Sequence, residues 1–339
     1  MKNFSDRSFC SGLFVWIEKH QLLLAGSRVL LAVSGGLDSM VMLDFFRRFG
    51  QKKYALDFGV AHIDHGLRTE SAADALWLND HCQALAIPFW QIRLAVADVH
   101  QTSAQSSLEA VARELRYAWL FSLAREEGFD ALATAHTASD QAEGLLMRWV
   151  RGAVQGLGGM SPVQERQGLR LIRPLLDTPR AALEAYVEHY QLSWREDSSN
   201  AELDFFRNRI RAQVLPLLRA ENPRLEQQWC EHALIWQEEQ QFLEQLTESA
   251  ALTVLSTEPE GLRVLLRSFE GLGPALQRRV LKRALTQVCG DWKIFTSRHL
   301  EALLQLARAE TGKSLNLPRG ILARKEKLSI LICHLNSDT

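Results

Sequence analysis

Short apolar runs alternate with longer amphipathic segments through the first half of the chain. Residues 28–33 form an apolar run of strand length, and apolar residues recur with helical spacing from Met40 onward. The same alternation predicts strands over 55–63, 88–94 and 131–135, and helices over 9–23, 70–85, 108–127 and 141–150. Because strands that alternate with helices of ten or more residues form parallel sheets covered on both faces, we expect a doubly wound, Rossmann-like α/β domain.

The pattern changes in the second half of the chain. A strand over 171–176 and a helix over 178–190 complete the first predicted domain, which covers residues 1–217. A long helix is predicted over 226–255. Further helices are predicted over 274–288 and 297–309, and short strands over 315–317, 321–323 and 328–332. We therefore expect a second, smaller α+β domain over residues 226–339.

The composition favours a two-domain protein of the cytoplasm. A length of 339 residues with 47% apolar residues exceeds what one core usually organises. The five cysteines include no Cys-x-x-Cys pair, which argues against a zinc knuckle, an iron–sulfur cluster and a disulfide framework. No signal-peptide pattern and no run of 18 apolar residues occurs, so we predict a cytoplasmic protein without a membrane partner.

A glycine-rich turn follows the first predicted strand. Its residues are Ser34, Gly35, Gly36, Leu37, Asp38 and Ser39. Two glycines before a helix allow several backbone N–H groups to approach an anion at the positive end of that helix. The serine hydroxyls add donors, whereas the Asp38 carboxylate would repel phosphate unless a divalent cation lies between them. The turn therefore predicts a pyrophosphate site with Mg²⁺ at Asp38, and a merely connecting turn is the alternative.

Polar residues follow two other strands. The sequence His-Ile-Asp-His-Gly-Leu-Arg covers residues 62–68 at the end of the second strand, and Thr134, His136 and Asp140 follow the fourth. Ligands of such sheets bind beyond the carboxyl ends of the strands, so both groups are expected to face the crevice of the glycine turn. The two histidines lack a third ligand at a suitable spacing, which favours hydrogen-bonded loop histidines over a metal cluster.

Two sets of arginines are spaced for shared helix faces. Glu109, Arg113 and Arg116 lie at i, i+4 and i+7, which is typical of a salt-bridged helix surface. If that face points to the crevice, Arg113 could instead neutralise a triphosphate. Arg207 and Arg211 lie one turn apart and suit paired phosphates, with a solvated basic face as the alternative.

The C-terminal quarter is basic. The net charge of the chain is −1, but residues 261–339 hold 14 Lys and Arg against 6 Asp and Glu, a net of +8. Four of these cations lie on the predicted helix 274–288: Arg278, Arg279, Lys282 and Arg283. A basic face is often only solvated surface. A basic face in the same chain as a nucleotide site, however, indicates a polyanionic substrate.

The glycine turn resembles the pyrophosphate loop of the N-type ATP pyrophosphatases, and at family level the chain is similar to the tRNA(Ile)-lysidine synthetases. The matching positions are 34–39, 64–68, 70–71, 109, 112–113, 116–117, 135–136, 140–141, 143, 151–152, 173–176, 194, 196–200, 207–208 and 211. Residues 276–281 and 315–331 are similar to the family's first C-terminal tRNA-binding module. The resemblance thus covers most of the chain.

The resemblance implies an ATP-dependent ligase that modifies a tRNA(Ile) with a CAU anticodon. ATP adenylates the carbonyl oxygen on carbon 2 of the wobble cytidine, and the side-chain amine of L-lysine then displaces AMP. The implied catalytic residues are Asp38, Arg113, Asp140 and Glu143. The implied contacts to tRNA or lysine are His65, Arg68, His136, Arg151, Arg207, Asn208 and Arg211.

The chain departs from the family's pattern near the expected amine site. Thr137 and Ser139 stand where a second His and a paired Asp are usual, and Gly144 stands where a Thr usually follows the Glu. These changes concern the second substrate more than the ATP step. The alternatives are a thiolase, a ligase of a different amine, and a non-catalytic nucleotide- and tRNA-binding homologue. The oligomeric state is open, a homodimer included.

Overall fold

The computed structural model describes residues 6–64, 71–94, 108–152, 157–195, 206–291 and 294–335. The chain forms two compact units, Met1–Gln237 and Glu238–Thr339. Among the described residues no helix is both long and apolar enough to span a membrane.

A six-stranded sheet organises the first unit. Its strands are β1 (Arg28–Ala32), β2 (Asp57–Asp64), β3 (Phe89–Arg93), β4 (Ala131–Thr134), β5 (Val163–Arg166) and β6 (Leu169–Ile172). The spatial order is β3-β2-β1-β4-β6-β5, and every pair is parallel except β5 with β6. The predicted doubly wound, mostly parallel sheet is confirmed.

Helices cover both faces of this sheet. They are α1 (Asp6–Lys19), α2 (Leu37–Phe45), α3 (Gln51–Tyr54), α4 (Ser71–Ala84), α5 (Leu108–Glu126), α6 (Ala138–Val150), α7 (Arg180–Tyr190), α8 (Phe206–Arg209) and α9 (Leu215–Glu221). π-Helical turns at Phe46–Gly50 and Ile210–Val214 adjoin α2 and α8. The long helix α10 (Leu225–Val254) follows, and the division between the two units falls within it.

The central strand β1 shows why the strands read as continuous apolar runs. Val29 and Leu31 pack in the core that contains residues of α1 and α2, whereas Leu30 packs with Tyr117 and Phe121 of α5. Successive side chains of a strand point to opposite faces, so a sheet covered on both faces needs apolar residues at every position.

The apolar pattern missed strand β5. The predicted strand 171–176 corresponds to β6 (Leu169–Ile172), and β5 precedes it as the antiparallel edge. The sequence of β5 is Val-Gln-Glu-Arg, and its last three residues are exposed. A short, polar edge strand has little apolar periodicity, and such composition is typical of protected sheet edges.

The second unit is an antiparallel sheet with helices. Its strands are β7 (Leu255–Glu258), β8 (Gly261–Leu265), β9 (Ser314–Leu317), β10 (Ile321–Lys325) and β11 (Ser329–His334), in the spatial order β7-β8-β11-β10-β9. Its helices are α11 (Leu266–Glu270), α12 (Pro274–Cys289) and α13 (Ser297–Ala307). The core joins Leu281 and Leu303 of the helices to Ile330 and Ile332 of β11. The predicted α+β architecture is confirmed, although β7 and β8 had not been predicted.

The start of α10 packs with the first unit rather than with the second. The Cys230 thiol donates to the carbonyl of Leu176 at 3.2 Å, and the Ser161 hydroxyl donates to the Gln237 side chain at 2.9 Å. Gln237 also donates to the carbonyls of Gly158 and Met160. Residues 226–237, predicted as the start of the second domain, therefore lie in the first unit.

Candidate functional site

The glycine turn joins β1 to α2. Gly35 has φ of +89°, a conformation that side chains rarely adopt, and a Cβ there would lie 3.7 Å from the Trp77 ring. Gly36 caps α2 in an extended conformation without a side-chain cap. The first backbone N–H groups of α2 are thus left without a capping side chain, at the end of the helix where an anion is favoured.

The two serines of the turn hold its shape. The Ser39 hydroxyl donates to the Gly36 carbonyl at 2.8 Å and accepts the Ser34 N–H at 3.2 Å. The Ser34 hydroxyl accepts the Gly36 N–H at 3.3 Å and is exposed, whereas Ser39 is buried. The Leu37 side chain lies in the core. Ser34 and the backbone are therefore accessible to a ligand, and Ser39 mainly orders the loop.

Asp38 is the carboxylate of this turn. Its Oδ1 accepts a hydrogen bond from Nη1 of Arg180 in α7 at 2.8 Å. Burial raises the pKa of Asp38 to about 6, Arg180 opposes that shift, and the nearby charge of Asp140 raises the pKa further. A bound cation would favour the ionised carboxylate here. Among the described residues no group of three or more His, Cys, Asp or Glu could hold a metal ion.

Asp140 lies in the first turn of α6, which follows β4. Thr137 caps this helix, and its backbone N–H and hydroxyl donate to Oδ2 of Asp140 at 2.8 and 3.0 Å. The Asp140 N–H donates back to the Thr137 hydroxyl at 3.4 Å, which completes a capping box. Thr137, one of the departures from the family's pattern, therefore has a structural role in placing Asp140.

Two arginines bind the carboxylates of α6. Nε of Arg207 and Nε of Arg211 each lie 2.6 Å from an oxygen of Glu143, whose side chain is 0% exposed. Nη2 of Arg207 lies 2.5 Å from Oδ1 of Asp140. Burial pushes the pKa of Asp140 up, but the charges of Arg207 and Arg211 and the Thr137 N–H outweigh it and hold the pKa below its ordinary value. Asp140 is therefore ionised at neutral pH.

An electropositive region lies beside these carboxylates. Arg113 is exposed on α5, and its guanidinium lies 5.3 Å from the centre of the Tyr117 ring, as does that of Arg116 at 5.1 Å. Burial lowers the pKa of Arg116, and the charge of Arg113 lowers it further. In the part of the chain that the structure describes, neither arginine forms an ion pair with a carboxylate. The salt-bridged helix surface is thus not seen there, and the Glu109 side chain lies outside the described residues.

His136 adjoins this region. Its Nδ1 lies 2.9 Å from the Thr134 hydroxyl. Burial lowers the pKa of His136, Asp140 opposes the shift, and Arg173 and Arg116 add to it. The imidazole is therefore neutral and offers a hydrogen bond rather than a charge.

The other predicted contact residues are dispersed. Arg151 is exposed at the end of α6, with its guanidinium 5.8 Å from the centre of the Phe206 ring, and Asn208 lies half-buried on α8. His65 and Arg68 lie outside the described residues. Arg180, which the sequence reasoning missed, contacts Asp38 across 142 residues. No local sequence signal marks such a pair.

Ser139 is bound by a different arginine from the two that bind Asp140 and Glu143. It is buried, and its hydroxyl accepts from Nη2 of Arg219 at 3.3 Å, while Arg219 also pairs with Glu226. An aspartate at position 139 would therefore meet Arg219. We do not expect Ser139→Asp to supply a second carboxylate for an amine.

Gly144 weakens α6 beside Glu143. A Cβ at this position would meet nothing within 4 Å, and its φ is not in the left-handed region. We expect Gly144→Ala to raise the free energy of unfolding by about 0.5–1 kcal/mol, because glycine in a helix interior carries that entropic cost. Urea denaturation measures it, with Gly168→Ala at φ of +78° as a control that should destabilise. If Gly144→Ala were less stable than the unaltered protein, the interpretation that a methyl group fits at position 144 would be wrong.

The sheet, the glycine turn and the carboxylates beyond the strand ends define the class, a phosphate-binding α/β domain of the PP-loop type. The family model described as PP-loop domain matches residues 16–218, and the one described as TilS substrate binding domain matches residues 266–328. The chain belongs to the tRNA(Ile)-lysidine synthase family of PP-loop proteins, which confirms the resemblance seen in the sequence.

Several relatives carry the name tRNA(Ile)-lysidine synthase. That of Dehalococcoides mccartyi (strain CBDB1) is 35% identical over 310 residues, 89% of this chain and 65% of the relative. That of Clostridioides difficile (strain 630) is 30% identical over 320 residues, 93% of this chain and 68% of the relative. That of Thermus thermophilus is 35% identical over 300 residues, 88% of this chain and 55% of the relative. The chain thus spans roughly half to two thirds of the length of these relatives.

A solved structure shares the fold. The U34-tRNA thiolase NcsA from Methanococcus maripaludis with its [4Fe-4S] cluster matches with a TM-score of 0.59 and 15% identity. The match covers 69% of this chain and 81% of that chain. At this identity the likeness concerns the fold alone.

Proposed function

We propose that the chain is an ATP-dependent carbon–nitrogen ligase that joins lysine to the wobble cytidine of a tRNA(Ile) with a CAU anticodon. The observation that carries the proposal is the placement of Asp38, in the phosphate loop, within electrostatic reach of Asp140 and Arg211. The loop belongs to the ATP step, and the carboxylates of α6 belong to the amine step. Family membership supports this assignment of the two halves.

The loop residues fit the pyrophosphate of ATP. The uncapped N–H groups of α2 and the exposed Ser34 hydroxyl would donate to phosphate oxygens as negative charge develops on the leaving pyrophosphate. Mg²⁺, when bound, supplies charge neutralisation between the phosphates and the protein, and Asp38 is the residue that would hold it. Arg113 and Arg116 add positive charge on the α5 side of the crevice.

Adenylation makes the cytosine oxygen a leaving group. The carbonyl oxygen on carbon 2 attacks the α-phosphate of ATP, and pyrophosphate departs. The free amine of lysine then attacks carbon 2, AMP departs with that oxygen, and the amine loses its protons to solvent or to a base. Overall, the base gains lysine and loses one oxygen as part of AMP.

The carboxylates of α6 suit an ammonium group. The pKa of Asp140 lies below its ordinary value, so its carboxylate is a weak base and is better placed to bind the lysine ammonium than to remove its proton. Both oxygens of Glu143 accept from arginines, which makes Glu143 a positioning residue. The Arg207 side chain is 40% exposed, and if it turned toward solvent, Oδ1 of Asp140 would keep only the longer contact of 3.5 Å with Nη2 of Arg211 and could accept the incoming ammonium.

Mass analysis of the nucleosides tests the proposal. The protein is incubated with tRNA(Ile), ATP and each amino acid in turn, and the tRNA is digested. We expect one cytidine to gain the mass of lysine less one water, with lysine alone and only when ATP is present. A product with another amine or with sulfur would replace the proposal, and no product at all would favour a non-catalytic binding protein.

Asp140→Asn tests the amine site. Asparagine keeps a side-chain oxygen that can accept the Thr137 N–H of the capping box, so α6 should be retained while the charge is lost. We expect the KM for lysine to rise about tenfold or more, since a hydrogen bond to a charged group contributes roughly 1.5–3 kcal/mol. ATP binding should change little. Ser139→Ala is the matched control on the same turn, and an unchanged lysine KM in Asp140→Asn would remove Asp140 from the amine site.

Three cations of the helix that the sequence favoured for tRNA binding are paired with glutamates, so we propose that the tRNA contacts of the second unit lie elsewhere. Arg278, Arg279 and Arg283 of α12 pair with Glu301, Glu244 and Glu248 at 2.8, 3.3 and 3.4 Å. The unit as the structure bounds it holds 14 Lys and Arg against 12 Asp and Glu, a net of +2 instead of +8. Lys313 and Lys327, at the same end of β10, are exposed and form no ion pair with any described residue.

We expect Lys313→Ala with Lys327→Ala to weaken tRNA binding and to flatten its salt dependence. Each lost phosphate contact lowers the slope of log K against log salt by about 0.9. The matched control is Arg278→Ala with Arg283→Ala, which removes the same number of charges from paired positions and should change the slope less. A larger effect in the control would place the RNA on α12.

A further inference from the structure

Three tryptophans lie together at the C-terminal end of α6. The ring centres of Trp149 and Trp229 are 5.3 Å apart, and those of Trp149 and Trp236 are 6.3 Å apart, both edge-to-face. Trp229 and Trp236 lie on the part of α10 that belongs to the first unit. The His232 ring lies 6.1 Å from that of Trp236.

Core packing accounts for Trp229 but not for Trp149. Trp229 packs against the small core cluster of Ala142, Ile210 and Leu215. Trp149 is 40% exposed, and the next residue, Val150, is 68% exposed. Large exposed apolar groups that adjoin a polar site often mark an interaction surface.

The position of Trp149 relates it to the reacting groups. It lies on the same helix as Asp140, nine residues further on, which is about 14 Å along an α-helix and about half a turn around it. Along a stacked strand, that distance corresponds to about four nucleotides at roughly 3.4 Å each. A base at Trp149 would therefore lie several nucleotides from a nucleotide held at Asp140.

The charge around the tryptophans suits an RNA strand. The guanidiniums of Arg151 and Arg209 lie 5.8 and 5.6 Å from the centre of the Phe206 ring, and both arginines are exposed. Phe206 packs on the same core cluster as Trp229. Aromatic rings interleaved with arginines are the usual surface for unpaired bases, which stack on the rings while their phosphates contact the cations.

We propose that Trp149, supported by Trp236, is a stacking platform for unpaired bases several nucleotides from the reacting cytidine, and that Arg151 contacts the adjoining phosphate. This inference rests on the proposed function. The ring carbonyl of the cytidine is reached only when that base leaves its stack, and the other unpaired bases of the same strand then need another surface. The exposed indole of Trp149 supplies one.

Binding of the tRNA and of its isolated anticodon stem-loop tests the platform. We expect Trp149→Ala to weaken binding of both about tenfold, since stacking contributes about 1–3 kcal/mol per base. The slope of log K against log salt should stay unchanged, because no phosphate contact is lost, whereas Arg151→Ala should lower it by about 1. Trp149→Phe should restore most of the affinity, and Trp149→Leu, which keeps apolar area without a ring, should not.

Two controls separate stacking from packing. Leu76→Ala removes another exposed apolar side chain, which is 61% exposed on α4, and should leave RNA binding unchanged. Unaltered binding in Trp149→Ala, or equal rescue by Leu and Phe, would mean that Trp149 only anchors α10. If Trp149→Ala does not fold, photo-crosslinking of a 5-iodopyrimidine-substituted stem-loop to the unaltered protein decides: an adduct at Trp149 supports the platform, and adducts only elsewhere overturn it.

Different experimental results would contradict the stacking platform and the proposed ligase activity. Binding is measured without ATP or lysine, so it reports on the platform alone. If the protein forms the lysine adduct and Trp149→Ala binds normally, only the platform is lost. If no adduct forms although Trp149→Ala weakens binding, the ligase proposal is lost, and the surface remains an RNA-binding one.

Discussion

Asp38→Ala is expected to reduce tRNA-dependent release of pyrophosphate by about a hundredfold or more, by analogy with the loss of a preorganised charge-stabilising group. Asp38 is the carboxylate of the phosphate loop, and its burial next to Asp140 raises its pKa. Its removal takes away the residue that would hold a cation against the phosphates and leaves Arg180 without its partner in the crevice.

The measurement is steady-state pyrophosphate release with tRNA, ATP and lysine. Asp38→Asn keeps the shape of the side chain and should be nearly as inactive, because the charge is what matters. Asp80→Ala, at an exposed position of α4, is the control that should retain full activity. Normal turnover in Asp38→Ala would show that the loop is only a connecting turn. The main argument that this loop binds ATP would then be lost.

Glu143→Ala is expected to lower the free energy of unfolding by about 3 kcal/mol and to remove activity. Its carboxylate is fully buried and accepts hydrogen bonds from two guanidiniums at 2.6 Å. Breaking a buried ion pair by deleting one partner costs about 3–5 kcal/mol. We expect a loss at the lower end of this range. The reason is that Arg207 and Arg211 are 40% and 41% exposed, so water can hydrate them when their partner is removed.

Urea denaturation monitored by tryptophan fluorescence measures this loss. Glu184→Ala is the matched control: its carboxylate pairs with Arg180 at 3.0 Å but is 57% exposed, so the loss should stay below about 1 kcal/mol. Glu143→Gln separates charge from shape. It should retain more stability than Glu143→Ala and still lose activity, because the amide NH2 that replaces one carboxylate oxygen is a donor and would face the N–H of an arginine. Equal unfolding midpoints for Glu143→Ala and the unaltered protein would show that the cluster does not hold α8 against α6.

The elements that the sequence predicted well are those with a long apolar signal. Strands β1 and β4 and helix α5 were expected within a few residues of their bounds, because each buries several apolar side chains, those of α5 between Val111 and Ala124. Strand β5 was missed since its residues are polar and lie at an edge. Strands β7 and β8 were missed because they follow a long helix directly, with no turn-rich linker to mark the change.

The phosphate loop could be recognised from sequence because its geometry is local. Gly35 needs its positive φ, and Ser34, Gly36 and Ser39 bond to one another within six residues. The cap that Thr137 forms with Asp140 is local in the same way, over three residues. Such contacts depend on backbone conformation near each residue, and the residue types at that spacing determine it.

The pairing of the charged side chains was decided by the tertiary structure. Arg180 meets Asp38 across 142 residues, Arg207 meets Glu143 across 64, and the arginines of α12 are neutralised by glutamates of α10 and α13. A basic stripe in the sequence is identical whether it faces water, RNA or a second helix with acidic residues. By itself the sequence determined the sheet, the phosphate loop and the family. Which cations remain free for RNA, and which carboxylates remain for an amine, depended on how distant helices pack, because the partner of each charge lies on another element.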